Sequence, residues 1–213
     1  MQDIDKILVL GPHTDDGELG CGGTIAKLVE AGKEVHYAAF SIAEDSVPAG
    51  LPKDILVSEI QAASRVLGIA PDNLLIYRYP VRKFPQQRQE ILEDLVKLRN
   101  RIQPDLVLLP ASTDVHQDHQ TIAQEGVRAF KLTRILGYEL PWNNLSMATG
   151  LFVLLEEKHL LKKLQAIDCY ASQKQAGRNY ADESFIRGLA RTRGVQIGAE
   201  YAEGFEVVRW VLR

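Results

Sequence analysis

Four short, continuous apolar runs, each followed by a longer stretch of helical periodicity, constrain this chain more than any other feature. Ile7-Leu8-Val9-Leu10 ends at Gly11-Pro12. Val35 to Phe40 follows a stop at Gly32. Leu74-Leu75-Ile76-Tyr77 comes third, and Leu106-Val107-Leu108-Leu109-Pro110 fourth. Runs without polar alternation suit strands covered on both faces of a parallel sheet. Residues 18–32 carry Leu19, Ile25, Leu28 and Val29 at helical spacing. Residues 54–68 gather Ile55, Leu56, Ile60, Ala63, Val66 and Leu67 on one face, with Gly68 as the stop. From Gln86 to Ile102, Ile91, Leu95, Leu98 and Ile102 recur at +4, +3 and +4. The alternation predicts an α/β fold: a Rossmann-like three-layer sandwich around a mostly parallel sheet, as a single domain over residues 1–213. A chain of 213 residues buries a large core without disulfides or a structural metal.

The pattern weakens after residue 130. Leu151 to Leu155 reads as a strand and 156–167 as a helix. The polar, Arg-rich stretch 174–194 holds helical segments, and Glu206 to Leu212 reads as a final short strand. Residues 41–53 and 78–88 are the expected loops.

Charge and cysteine usage remove several function classes. The net charge of −3 supplies no global positive field for nucleic acid. No run of 18 apolar residues is present, so no membrane span is expected. The first residues lack the basic start and long apolar stretch of a signal peptide, which makes the cytoplasm the expected compartment. Two cysteines, Cys21 and Cys169, cannot build a CxxC zinc knuckle or a disulfide framework, and they read as reduced thiols. Any metal or acid–base chemistry must draw on five histidines.

Three of those histidines lie in two short motifs at strand ends, where open α/β sheets place their sites. The first is Gly11-Pro12-His13-Thr14-Asp15-Asp16-Gly17-Glu18-Leu19-Gly20. His13 and Asp16 reach one point across a tight turn and suit a zinc ion. Asp15 between them is placed to act on metal-activated water. The alternative is that one Asp merely caps the helix. The following Gly20-Cys21-Gly22-Gly23 is only a fragment of a dinucleotide fingerprint, and close helix–sheet packing explains it better.

The second motif is Asp114-Val115-His116-Gln117-Asp118-His119. If strand order reverses beside the first strand, strands one and four become neighbours and bring His119 to His13 and Asp16. Two His and one Asp leave a position open, as catalytic zinc sites do. His116 then faces the substrate, with Asp118 placed to orient its ring. The alternative is a polar loop capping a helix over 119–130. His36, in a strand, and His159, on an exposed-looking helix, read as structural.

At these residues the chain resembles the LmbE-like, or PIG-L, family of zinc-dependent de-N-acetylases. The family's His-x-Asp-Asp-x-Glu-Leu-Gly hallmark appears as His13 to Gly20, and its His-x-Asp-His motif as His116 to His119. Weaker matches are Tyr170-Ala171-Ser172-Gln173 and the tail from Arg193-Gly194 through Gly198 to Phe205. The resemblance implies His13, Asp16 and His119 as metal ligands and Asp15 as general base. It implies His116 facing the oxyanion with Asp118 behind it, and the hydrolysis that this residue set suggests has His116 protonated. Zinc is the implied cofactor, with ferrous iron also accepted by such sites. The implied substrate is a small N-acetylated sugar, usually a glucosamine unit or conjugate, and some members form trimers or hexamers. Two positions depart from the pattern: Gly17 stands where an acid is frequent, and Tyr170 where a His is frequent. Readings from other classes are another zinc amidase or hydrolase acting on a small amide, and a non-catalytic sugar- or nucleotide-binding α/β module. Loops 41–53 and 78–88 are expected to wall the pocket. Arg78, Arg82, Lys83 and Arg88 are candidates to meet a phosphate or carboxylate of the substrate, or else form a solvated basic loop.

Overall fold

In a computed structural model describing residues 3–212, each apolar run becomes a strand: β1 (Lys6–Gly11), β2 (Glu34–Ala39), β3 (Leu74–Ile76) and β4 (Leu106–Pro110). The helical patterns between and after them become α1 (Asp16–Glu30), α2 (Ile55–Leu67), α3 (Arg88–Ile102) and α4 (Gln117–Ala129). The second part supplies β5 (Arg134–Tyr138), β6 (Leu151–Leu155), α5 (Glu157–Asp168), α6 (Ala171–Gln175), α7 (Glu183–Val195) and β7 (Tyr201–Arg209).

All strands join one seven-stranded sheet in the order β3-β2-β1-β4-β5-β7-β6. The first five pair in parallel, and β7 runs antiparallel to β5 and β6. Successive side chains of a strand point to opposite faces, and here both faces are covered. Ile7 and Val9 of β1 join α1, α2, α5 and α7 in one core. Leu8 and Leu10 join α3 and α4 in the other. The three-layer α/β sandwich is therefore as expected. No helix among the described residues is long and apolar enough to cross a membrane.

Strand β5 lies outside the expected elements, and the last strand starts earlier than expected. Strand β5 carries no apolar run because Arg134 and Gly137 interrupt it. Arg134 is nonetheless buried, since its guanidinium donates to the Val211 and Asp3 carbonyls at 2.8 and 3.2 Å. The final strand also begins at Tyr201 rather than Glu206.

The glycine cluster packs rather than binding a phosphate. A Cβ on Gly20 would meet the Tyr138 ring at 2.2 Å, and one on Gly23 would meet Leu155 at 2.5 Å. Helix α1 kinks at Cys21. The freed N–H groups of Gly23 and Thr24 donate to Glu203 at 3.0 and 2.6 Å, and Lys163 pairs with the same carboxylate at 2.7 Å.

His159 is buried, not exposed. Its Nδ1 accepts the Glu156 N–H in a capping box, and its Nε2 meets Glu30 at 2.7 Å. His36 pairs with Glu34. Both remain structural.

Candidate active site

Strands β1 and β4 are hydrogen-bonded neighbours, and sheet order reverses between them. Their C-terminal ends open into the two motif turns, so the reversal places His13–Asp16 against Asp114–His119.

Three acceptor atoms converge there. Asp16 Oδ2 lies 3.1 Å from His13 Nδ1 and 3.3 Å from His119 Nε2, and the two ring nitrogens are 3.2 Å apart. Each ring's other nitrogen is committed to a carboxylate. His13 Nε2–H donates to Asp118 at 3.2 Å, and His119 Nδ1–H donates to Asp114 at 2.7 Å. A carboxylate can only accept, so the partner fixes the tautomer and leaves a lone pair on His13 Nδ1 and on His119 Nε2. Three acceptor atoms about 3.2 Å apart call for a cation between them, a proton or a metal ion. The edges match the roughly 3.3 Å ligand spacing of a tetrahedral ion bound at about 2.0–2.1 Å. The donor set therefore fits a divalent metal. Ring nitrogens of His13, His116 and His119 also come within 4.8 Å of one another. Asp16 completes the tighter set with His13 and His119.

The electrostatics tell the same story. Burial alone would lower His13, but Asp16 and Asp118 outweigh it and push it up to about 10. Burial would raise Asp16, but His119 and His13 outweigh it and hold its carboxyl below the usual range. The acids around the rings demand positive charge, and a divalent ion can take the place of the proton on His13.

Asp15 stands at the N-cap position of α1 yet makes no side-chain capping bond. The plain capping reading therefore fails for Asp15. Asp16 is also turned away from capping, accepting the His13 N–H at 2.8 Å. Asp15 lines the cavity, and burial followed by the Asp16 charge lifts it to about 6.

His116 is the N-cap of α4, so the capping reading of the second motif is half right. Its Nδ1 accepts the Asp118 N–H at 3.2 Å. Burial and then the two neighbouring rings press it to about 4, so it stands neutral with its proton on Nε2, not protonated as expected. Asp118 is also corrected. Its carboxylate does not touch the His116 ring; it accepts from His13 and from the N–H groups of Arg82 and Phe84 at 2.5 and 3.2 Å. Chain proximity favours His116 as its partner, but α4 turns the Asp118 side chain away from that ring and toward β1. Asp114, the first residue of the second motif, fills the matching position behind His119.

The two departures share a cause. Tyr37 and Tyr170 are both buried, and each hydroxyl bridges the Thr14 carbonyl and the Glu18 carboxyl at 2.6–3.0 Å. The Tyr37 hydroxyl also accepts the Gly17 N–H at 2.9 Å. A Cβ at Gly17 would lie 2.7 Å from the Tyr37 ring. Gly17 thus admits the first tyrosine, and Tyr170 is the second arm of a clamp on the His13–Asp16 turn. Burial lifts Glu18 to about 8 despite the hydroxyl bonds it accepts.

The His–Asp cluster floors a cavity of about 300 Å³. Both expected loops wall it, through Ala43 and Ser46 and through Val81 and Arg82. Trp142 and Tyr180, unflagged in the sequence, complete the wall and stack at 4.1 Å with planes 13° apart. Arg78 instead pairs with Glu44, and Arg88 with buried Glu125.

Known proteins resemble this chain in sequence and in fold. The sequence pattern of the PIG-L family, described as GlcNAc-PI de-N-acetylase, matches residues 8–130. An uncharacterized deacetylase of Escherichia coli, YaiS, is 30% identical over 173 residues, covering 78% of this chain and 90% of its own. The solved structure of N,N′-diacetylchitobiose deacetylase from Pyrococcus horikoshii, complexed with an inhibitor, superposes with a TM-score of 0.78 at 25% identity, covering 97% of this chain and 85% of its own. The 4-oxalmesaconate hydratase of Pseudomonas putida is 26% identical over 234 residues, covering 94% of this chain and 88% of its own.

Proposed function

Because the chain belongs to the PIG-L family of GlcNAc-PI de-N-acetylases, we propose that it is a metal-dependent hydrolase that removes the N-acetyl group of a glucosamine-type sugar or conjugate and releases acetate. The observation that carries this reading is the meeting of three acceptor atoms beside Asp15, a carboxylate that caps nothing.

His13, Asp16 and His119 would hold the ion, with Asp118 and Asp114 fixing the two rings. The chemistry that a divalent ion would supply there, zinc by the imidazole and carboxylate ligands or else ferrous iron, is that of a Lewis acid that makes water acidic near neutral pH and polarises an acyl oxygen. Asp15 takes the proton of the attacking water. Neutral His116 donates its Nε2–H to the acetyl oxygen as charge develops there; one such donor commonly contributes about 10²–10³ in rate. Asp15 then returns its proton to the departing amine. Trp142 and Tyr180 offer the flat apolar surface that one face of a sugar ring packs against. The cytoplasm is the proposed compartment, with Cys21 and Cys169 kept as thiols.

The test is acetate release by the metal-loaded chain from N-acetylglucosamine in free, nucleotide-linked, lipid-linked and thiol-precursor forms. One acetate per free amine from at least one form is expected. No acetate from any form, with water added instead to an unsaturated dicarboxylate, would move the chain to the hydratase branch.

A further inference from the structure

Asp15 faces the cavity because another residue makes the bond that it would ordinarily make. It stands at the N-cap of α1, where an Asp carboxylate commonly accepts the N–H of the second or third helical residue. Here it accepts neither. The second helical residue is Gly17, and its N–H donates instead to the Tyr37 hydroxyl at 2.9 Å. A tyrosine from β2 therefore supplies the cap that the acid leaves.

The surroundings are shaped for this exchange. Tyr37 is fully buried, and its hydroxyl has the Thr14 carbonyl at 3.0 Å and the Glu18 carboxyl at 2.9 Å to donate to while it accepts from Gly17. Two glycines admit the ring. A Cβ at Gly11 would lie 2.8 Å from it, and one at Gly17 2.7 Å. The Asp15 backbone sits at φ −101° and ψ −8°. That is outside the extended region usual for an N-cap and near the bridge region, where many active-site residues sit. Tyr170 grips the same turn through the Thr14 carbonyl and Glu18, but among the described residues its hydroxyl accepts no backbone N–H. Tyr170 braces the turn, whereas Tyr37 also closes the helix. Without the Tyr37 hydroxyl a buried N–H would lack an acceptor, which is costly, and the Asp15 carboxylate is the nearest one in the chain.

We propose, resting on the hydrolase reading above, that Tyr37 is the positioning residue of Asp15: by accepting the Gly17 N–H it keeps the carboxylate out of the helix cap and turned to the cavity.

The test is a double-mutant cycle on the metal-loaded chain, read by melting and by turnover. Asp15→Ala should not lower Tm in the unmodified chain, where Asp15 caps nothing. In the Tyr37→Phe chain the carboxylate has become the cap, so Asp15→Ala should lower Tm by about 2–4 °C. Tyr170→Phe frees no N–H, and in that background Asp15→Ala should again not lower Tm. For turnover, Tyr37→Phe should retain the ion, lower kcat about tenfold and leave KM within about twofold. The same substitution should change kcat little once Asp15 is replaced by Asn. An equal Tm change on Asp15→Ala with and without the Tyr37 hydroxyl would overturn the proposal. So would an unchanged kcat in Tyr37→Phe, or a loss that persists in full in the Asp15→Asn background. Should Tyr37→Phe fail to fold, hydrogen exchange at Gly17 decides: unchanged protection in Asp15→Ala supports the proposal, and faster exchange overturns it. The melts and the exchange need no substrate. If no acetate is released, the hydrolase reading has failed and the cap exchange is still decided.

Discussion

The floor and the rim of the cavity are built on opposite principles. The floor stands on two turns at the ends of adjacent parallel strands, and hydrogen bonds hold the proposed ligands in place. His13 and His119 each lean on a carboxylate, and the turn between them and Asp15 is gripped by two tyrosine hydroxyls. The rim stands on loops and one-turn segments, with exposed arginines and a stacked aromatic pair. A rigid floor fixes what reaction is performed. A rim of loops can change with little cost to the fold, and so fixes on what substrate.

That contrast can be broken by substitution. The largest effect falls on a proposed ligand. His119→Ala should lose the ion, measurable by elemental analysis, and drop acetate release by roughly 10³ or more, since several kcal/mol of charge stabilisation go with the metal. Unchanged metal content would remove His119 from the ligand set. Next come the carboxylates behind the rings. Asp118→Asn and Asp114→Asn should each weaken metal binding by about 10–100-fold in a chelator competition. Only Asp118→Asn should also raise KM, because only Asp118 holds the Arg82 loop. Equal KM in the two variants would separate floor from rim more sharply than the structure does.

Smaller effects test the clamp and the wall. Gly17→Ala pushes a methyl to within 2.7 Å of the Tyr37 ring. It should cost about 1–3 kcal/mol of stability, which is a fall of several degrees in Tm for a chain this size, at roughly 2–4 °C per kcal/mol. An unchanged melt would mean that Tyr37 yields freely. Trp142→Ala should raise KM several-fold and leave kcat within about twofold, as loss of uniform binding does. A larger loss in kcat would place Trp142 with the floor.

The same division explains what could be read in advance. The meeting of His13, Asp16 and His119 in space is legible because each lies in a contiguous motif at the end of an apolar run, and an open sheet dictates where such ends meet. The partner of Asp118 was not legible. It is set by the direction in which α4 leaves β4, and the nearer histidine in the chain is the wrong one. Asp114 gave no signal because a buried carboxylate behind a ring has the same spacing as any loop acid. Strand β5 was missed because Arg134 and Gly137 are buried only through contacts with distant residues, Asp3 and Val211 for one and Ala111 for the other. Trp142, Arg178 and Tyr180 sit where no periodicity marks an element, and only the folded chain brings them to the cavity. Gly17 and Tyr170 stood out as departures, but their shared reason, the clamp on Thr14 and Glu18, needed Tyr37 from a different strand.

The central claim is that Asp15 moves the proton in a site whose ion is held by other residues. It is tested most directly by measuring bound metal and acetate release together in Asp15→Asn. The account predicts one divalent ion per chain, as in the unmodified protein, and turnover reduced by about 10²–10⁴, the usual contribution of a positioned general base. Full turnover with the ion retained would contradict it.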